Sequence, residues 1–278
     1  MSAPELAAEA GAAAERPRRL GAFYIVEHQL RGYRAYGPVT IASALGTPLL
    51  SLLAFGLGVG GLVSANVGPA RVEGVSYLEF VFPALMCALV LQVWAEEAMF
   101  ATMLGMTWRQ TFRAMRATPL TSMQIAAGMT MSISLRALVT ALLYLAVALL
   151  AGAMHGPASL LAIPAVLLTG LAFGLPLMAY SAGLEHESGQ FALIGRFVVL
   201  PLTLFSGTMF PLTVLPIWLQ WIGWVSPLWH GAQLARLAGQ GTTTEPAWLV
   251  AAHVAVLLAL AVVGWVLCVR VIRRRLER

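Results

Sequence analysis

Long apolar runs separated by short polar breaks make up most of this chain. Six of these runs are near or above the length that crosses a hydrocarbon core of about 30 Å. They cover roughly residues 38–62, 77–106, 121–153, 159–184, 190–205 and 247–269. The pattern predicts an all-α polytopic membrane protein with six transmembrane helices.

The breaks carry the information. The one long polar interruption is 107–128. On a helix, Arg109, Arg113 and Arg116 fall at i, i+4 and i+7 and share one face, beside Trp108, Phe112 and Met115. Thr118-Pro119 closes the segment, because proline stops regular helix. Two readings of this basic amphipathic element stay open: an anchor on anionic lipid, or a docking helix for a soluble partner. The N-terminus is Ala/Glu-rich over 1–15 and reads as disordered. Residues 16–37 then mix Phe23, Tyr24, Val26, Leu30 and Tyr33 with Glu27, Arg31 and Arg34, as expected of an amphipathic helix lying on the membrane surface. Gly56 and Gly60 form a G-x-x-x-G spacing in the first run, which lets helices approach closely.

Residues 210–240 differ again. Pro211, Pro216 and Pro227 cut them into pieces too short to cross, and Trp218, Trp221 and Trp224 recur every three residues. Tryptophan favours the membrane–water interface. We read a re-entrant pair of short helices dipping into the outer leaflet.

Composition agrees with a membrane protein: 59% of residues are hydrophobic and 10% charged. The basic residues are all arginine and the acids all glutamate. Lacking lysine and aspartate, the chain has neither the P-loop lysine nor the Walker-B aspartate and cannot hydrolyse ATP by that route. With both termini inside, fourteen arginines lie at cytoplasmic segments or inner helix ends, Arg71 and Arg236 lie outside, and Arg136 is intramembrane. That bias orients the chain with 107–128 in the cytoplasm and the tryptophan-rich hairpin outside. The net charge of +5 sits at those inner ends, so it does not indicate nucleic-acid binding.

Charges inside a span are costly unless paired or wetted. Glu96-Glu97 in the second run and Arg136 in the third are at similar depth, and one of the glutamates is expected to pair with Arg136. The pair either fixes helix register or gates a pathway. Glu185-His186-Glu187 is no metal site, because three consecutive residues cannot converge on one ion from a helix. Cys87 and Cys268 sit in apolar runs as small hydrophobes. A proton-coupled carrier using Glu96 and Glu97 is the main rival function, but such carriers often show internal repeats and none is visible here. An intramembrane enzyme using those glutamates with His155 or His186 lacks a nucleophile.

Two stretches bear a resemblance. Phe205-Ser206-Gly207-Thr208-Met209-Phe210-Pro211, then Leu215-Pro216, then Pro227-Leu228-Trp229-His230-Gly231, resembles the closing signature of ABC type-2 permeases. Residues 109–115 with Ala117-Thr118-Pro119-Leu120 resemble the cytoplasmic loop of the same family. Within it the chain is similar to the nodulation lipo-oligosaccharide exporter and daunorubicin-type drug exporter branch, and Glu97 matches a glutamate that the branch places before that loop. The likeness extends over roughly 21–278. The loop departs from relatives in being arginine-rich rather than mixed in charge.

The resemblance implies a non-catalytic permease in a bacterial inner membrane, with 38–278 as its six-span domain. A second copy or a close paralogue would complete it, and two copies of a separate ATPase would carry ATP and magnesium. Within the loop 107–121, Arg109, Phe112, Arg113, Arg116, Thr118 and Pro119 would form a coupling helix seated in that ATPase. Glu27, Arg31 and Arg34 would belong to a connecting helix beside it. Ser206, Gly207, Phe210, Pro211, Pro216, Trp218, Trp221 and Pro227 would shape the outer cap. The cargo implied is an amphiphile: a lipid-linked saccharide, a glycolipid or a drug.

Overall fold

The computed structural model describes residues 3–35, 37–59, 71–240 and 245–277. Helix α1 is Ala3–Ala35, and α2 is Gly37–Ser51, which runs on into a π-helical stretch, Leu52–Val59. A two-residue antiparallel ladder, Arg71–Val72 with Val75–Ser76, turns at Glu73 and Gly74, both with positive φ (53° and 86°). This pair of positive φ values matches the right-handed twist of the strands. Helix α3 covers Tyr77–Trp108 and contains π-helical turns at Glu97–Ala101 and Leu104–Trp108. There follow α4 (Thr111–Arg116), α5 (Ser122–Leu150), a 3-10 turn (Pro157–Leu161), α6 (Ala162–Gly183) and α7 (Gln190–Phe205). The chain closes with α8 (Ile217–Val225), α9 (Pro227–Gln240) and α10 (Ala247–Leu276).

Among the described residues, four helical stretches are long and apolar enough to cross a membrane: Tyr77–Trp108, Ser122–Leu150, Pro157–Gly183 and Ala247–Leu276. The other two expected spans appear as the shorter apolar helices Leu45–Phe55 and Gln190–Phe205. Gly60 lies outside the described residues, so the G-x-x-x-G expectation falls there too.

The helix starts are set by sequence. Ser76 and Glu79 form a reciprocal capping box on α3, and Thr121 and Gln124 form one on α5. Glu187 accepts from the Gly189 and Phe191 amides and so caps α7.

The core is centred on Trp94 of α3, which is fully buried. Its indole lies in a slot that Gly170 and Gly174, one turn apart on α6, leave open. Pro176 inside α6 faces Gly264 of α10 in the same way. Small residues allow this close approach where no hydrophobic effect drives helices together in lipid. A Cβ at position 174 would lie 2.2 Å from Trp94 Cε3. Gly174→Ala is therefore expected to destabilise the solubilised protein by about 1–3 kcal/mol, read as a lower unfolding temperature. Gly183→Ala, whose Cβ would meet only Val271 at 3.8 Å, is expected to leave it unchanged.

One expectation is corrected. Residues 3–15, expected to be disordered, continue α1 as helix; alanine and glutamate are strong helix formers. The second half of α1, the expected amphipathic segment, packs against the bundle. It runs lengthwise along α5, with Gly21 against Leu120 and Gln124, Ile25 against Gly128, and the Gln29 amide donating to Met129 S at 2.8 Å. The missing side chains at Gly21 and Gly128 admit this contact, and Ile25 is buried in it.

Candidate functional site

At one end of the bundle the chain turns between α3 and α5 through residues 109–121. Helix α4 within this turn is shorter than expected. Gln110 adopts the left-handed conformation (φ 53°), which cuts Arg109 off from the helix. Arg109, Arg113 and Arg116 therefore do not form one continuous helical face. Arg109 and Arg113 are exposed, as are Thr118 and Pro119. Arg116 folds back, and its Nη1 donates to the Leu120 carbonyl at 2.8 Å. Thr118 Oγ1 donates to the Met115 carbonyl at 2.6 Å.

The turn is held firmly from beneath. Phe112 is buried, and its ring fills the place a side chain at Gly105 would take, with 2.3 Å between that Cβ and Phe112 Cζ. Gly105 belongs to the π-helical turn Leu104–Trp108. Such turns interrupt the regular ladder and concentrate at functional sites. The result is a short exposed basic knob bolted to the last turn of the longest core helix. Its surroundings are tied in as well. Ser122 Oγ donates to Glu277 at 3.2 Å, and Arg275 Nη1 donates to the carbonyls of Ala182 (2.9 Å) and Leu184 (2.5 Å). The C-terminal arginines thus include one that fastens α10 to the end of α6.

Deeper in the bundle, Arg136 of α5 pairs with Glu97, where the other π-helical turn of α3 begins. Glu97 is buried, while Glu96 faces out and accepts from Gln92 Nε2 at 3.2 Å. The Arg136 guanidinium also lies over the Tyr33 ring, 5.6 Å from its centroid, joining α1 to the pair. On the exposed side of α1, Glu27 and Arg31 pair with each other at 2.6 Å. The Arg34 side chain lies outside the described residues.

The opposite end holds the broken segment. Two short helices, α8 and α9, meet at Ser226-Pro227. Ser206 and Ser226 share a buried hydrogen bond of 2.7 Å, and Ser226 Oγ also accepts from the Leu228 amide. Gly207 has φ 68°, and Pro227 is buried at the head of α9. Phe210 and Pro211 are half-buried in the turn before α8, and Pro216 is exposed at its start. Trp218, Trp221 and Trp224 form an exposed stripe on α8. Between α6, α7 and α8 lies an apolar groove of about 730 Å³ lined by residues that include Phe173, Tyr180, Phe197, Trp221 and Leu260.

The charge count places Arg236 on the outer side of the membrane, which leaves its burial open. It is 5% exposed and at the centre of this end. Its Nε donates to the Phe80 carbonyl at 2.9 Å and its Nη2 to the Gly207 carbonyl at 2.6 Å, while its guanidinium lies 3.7 Å from the Phe80 ring centroid. Gln233 accepts from Nη1 at 3.0 Å. His230, His253 and Glu245 cluster nearby and carried no signal in the sequence, because helix pairing alone joins them. For Arg236, the signal was its place among small residues (Gly231, Ala232, Ala235, Gly239) that make α9 an inward-facing helix.

Comparison with known proteins adds to this picture. Residues 23–238 match the model of the family described as ABC-2 type transporter. The chain is 31% identical to Nodulation protein J of Rhizobium leguminosarum bv. viciae over 251 residues, 89% of this chain and 93% of that protein. It is 30% identical over 249 residues to Nodulation protein J of Sinorhizobium fredii, covering 88% and 91%. For the protein of that name from Bradyrhizobium diazoefficiens the figure is 27% over 252 residues, covering 89% and 92%.

Proposed function

This chain belongs to the ABC-2 type transporter family, and we propose that it is the permease subunit of an exporter driven by ATP hydrolysis on a separate ATPase. It is an integral membrane protein, similar over most of its length to Nodulation protein J. The observation that carries the proposal is the knob at 109–119. Its Arg109 and Arg113 side chains are exposed, while Phe112 fixes it to the end of α3. A soluble partner that moves this knob moves α3, and α3 carries Glu97 and Trp94 in the centre of the bundle.

ATP closes the ATPase dimer, and acidic groups on it grip Arg109 and Arg113. The push enters α3 through Phe112 and Gly105. Two permease copies then exchange inward- and outward-facing arrangements, with the substrate binding differently in each. Helix α2 with its continuation to Val59, and α7, complete six spans, with both termini and the knob in the cytoplasm of a bacterial cell. Helices α8 and α9 cap the exit on the far side as a re-entrant pair. The cargo is an amphiphile, a lipid-linked saccharide or a related glycolipid or drug. The apolar groove beside Trp221 suits its tail, and the exposed tryptophan stripe suits an interface between lipid and water.

The test is substrate-stimulated ATPase activity of the reconstituted complex. It is expected to disappear when the exposed arginines of the knob are reversed in charge, with the permease still folded. Undiminished stimulation in that variant overturns the proposal.

A further inference from the structure

A buried polar cluster that the transport cycle above does not use lies at the end of the bundle opposite Arg109. His230 of α9 and His253 of α10 face each other with their Nδ1 atoms 2.6 Å apart. His230 Nε2 lies 3.0 Å from the Trp224 carbonyl, and His253 Nε2 lies 3.4 Å from Oε2 of Glu245. The rings are 7% and 1% exposed, and Trp229 packs edge-on against both. Among the described residues, neither His253 Nε2 nor Glu245 Oε2 completes a hydrogen bond, although both are buried.

Counting hydrogens shows what the cluster lacks. A carbonyl oxygen only accepts, so His230 Nε2 carries a hydrogen. A neutral His230 then presents a lone pair at Nδ1, and His253 donates to it from its own Nδ1. That places both hydrogens of two neutral imidazoles. His253 Nε2 is left with a lone pair aimed at Glu245. An ionised Glu245 would set acceptor against acceptor in a buried contact, which is costly.

We propose that His230, His253 and Glu245 form a site for one proton, held between His253 Nε2 and Glu245 Oε2, and that this proton clasps α9 to the head of α10. The proton comes from bulk water and returns to it, and no other bond forms or breaks. Around the site, Arg236 of α9 reaches Glu245 through Gln233, whose Nε2 lies 3.4 Å from Glu245 Oε1. Glu73 of the strand turn and Cys87 of α3 act electrostatically on Arg236. Helix α8 contributes only the Trp224 carbonyl. Burial holds the Glu245 carboxyl above the ordinary carboxylate range, with Arg236 pulling the other way. This site does not depend on how the permease is driven.

A proton held more tightly in the folded than the unfolded chain stabilises the fold fully below the unfolded carboxylate pKa of about 4.3. That contribution is lost as pH rises through the folded value. In full-length protein in lipid nanodiscs, the unfolding temperature is therefore expected to fall by roughly 3 °C or more between about pH 5 and about pH 8. In Glu245→Gln the amide donates to His253 Nε2 without an added proton, so this slope is expected to flatten. Glu79→Gln removes the other histidine–glutamate contact at this end, His155 with Glu79 at 3.6 Å, and is expected to keep the slope. A wild-type slope retained in Glu245→Gln, or no slope in the wild type, overturns the proposal. If Glu245→Gln does not fold, ¹⁵N-histidine spectra of the wild type decide. The buried ring nitrogens are expected to shift over this pH range, and unchanged signals overturn the proposal.

Discussion

Reversing Arg109 and Arg113 together, as Arg109→Glu/Arg113→Glu, is expected to leave a folded membrane protein that no longer stimulates its ATPase. Both side chains are exposed, so the folded chain alone loses little. At an interface with an acidic cleft the effect is large. Truncating one partner of a desolvated charge pair costs about 2–5 kcal/mol, and reversal adds repulsion. Two reversals should weaken the complex by at least about a hundredfold, at 1.4 kcal/mol per factor of ten. The measurement is ATPase activity in proteoliposomes with and without substrate, with co-purification of the ATPase alongside. Arg116→Glu is expected to behave differently, because Arg116 donates to the Leu120 carbonyl inside the turn. Its loss should lower the unfolding temperature first and coupling second.

The second large effect is expected at the ion pair. Glu97→Ala leaves Arg136 in the bundle without its carboxylate partner, beside the Tyr33 ring. Removing one partner of a buried pair costs about 3–5 kcal/mol in a dry interior. The Arg136 side chain is 27% exposed, so about 2–3 kcal/mol is expected here. Glu96→Ala is expected to cost little, because Glu96 faces outward. The charge-swapped protein, Glu97→Arg/Arg136→Glu, should recover part of the loss in thermal unfolding. A swap no better than either single variant would show that position, and not pairing, is what Glu97 supplies.

The apolar runs and the proline and arginine punctuation made most of the fold legible, because membrane helices announce themselves by composition and length. The choice between Glu96 and Glu97 was not legible. Tyr77–Glu96 is apolar on all sides, so no polar face marks its phase, and only packing turns Glu97 inward. The i, i+4, i+7 spacing of Arg109, Arg113 and Arg116 assumed an unbroken helix, and the left-handed Gln110 breaks it. Charge counting assigned Arg236 only a side of the membrane and not its burial; the short helix it sits on packs into the bundle and buries it against Phe80. The tryptophans that recur every three residues fall on one exposed face of the short helix α8. The His230–His253 contact joins residues on different helices, and no local pattern encodes it.

The most direct measurement is to purify the full-length chain from its native membranes, identify what accompanies it, and assay transport of the recovered assembly. A P-loop ATPase in equal amount is expected, with transport that needs ATP and survives a protonophore. A chain that comes alone, transports alone and stops when the proton gradient is collapsed would contradict coupling through the knob at 109–119.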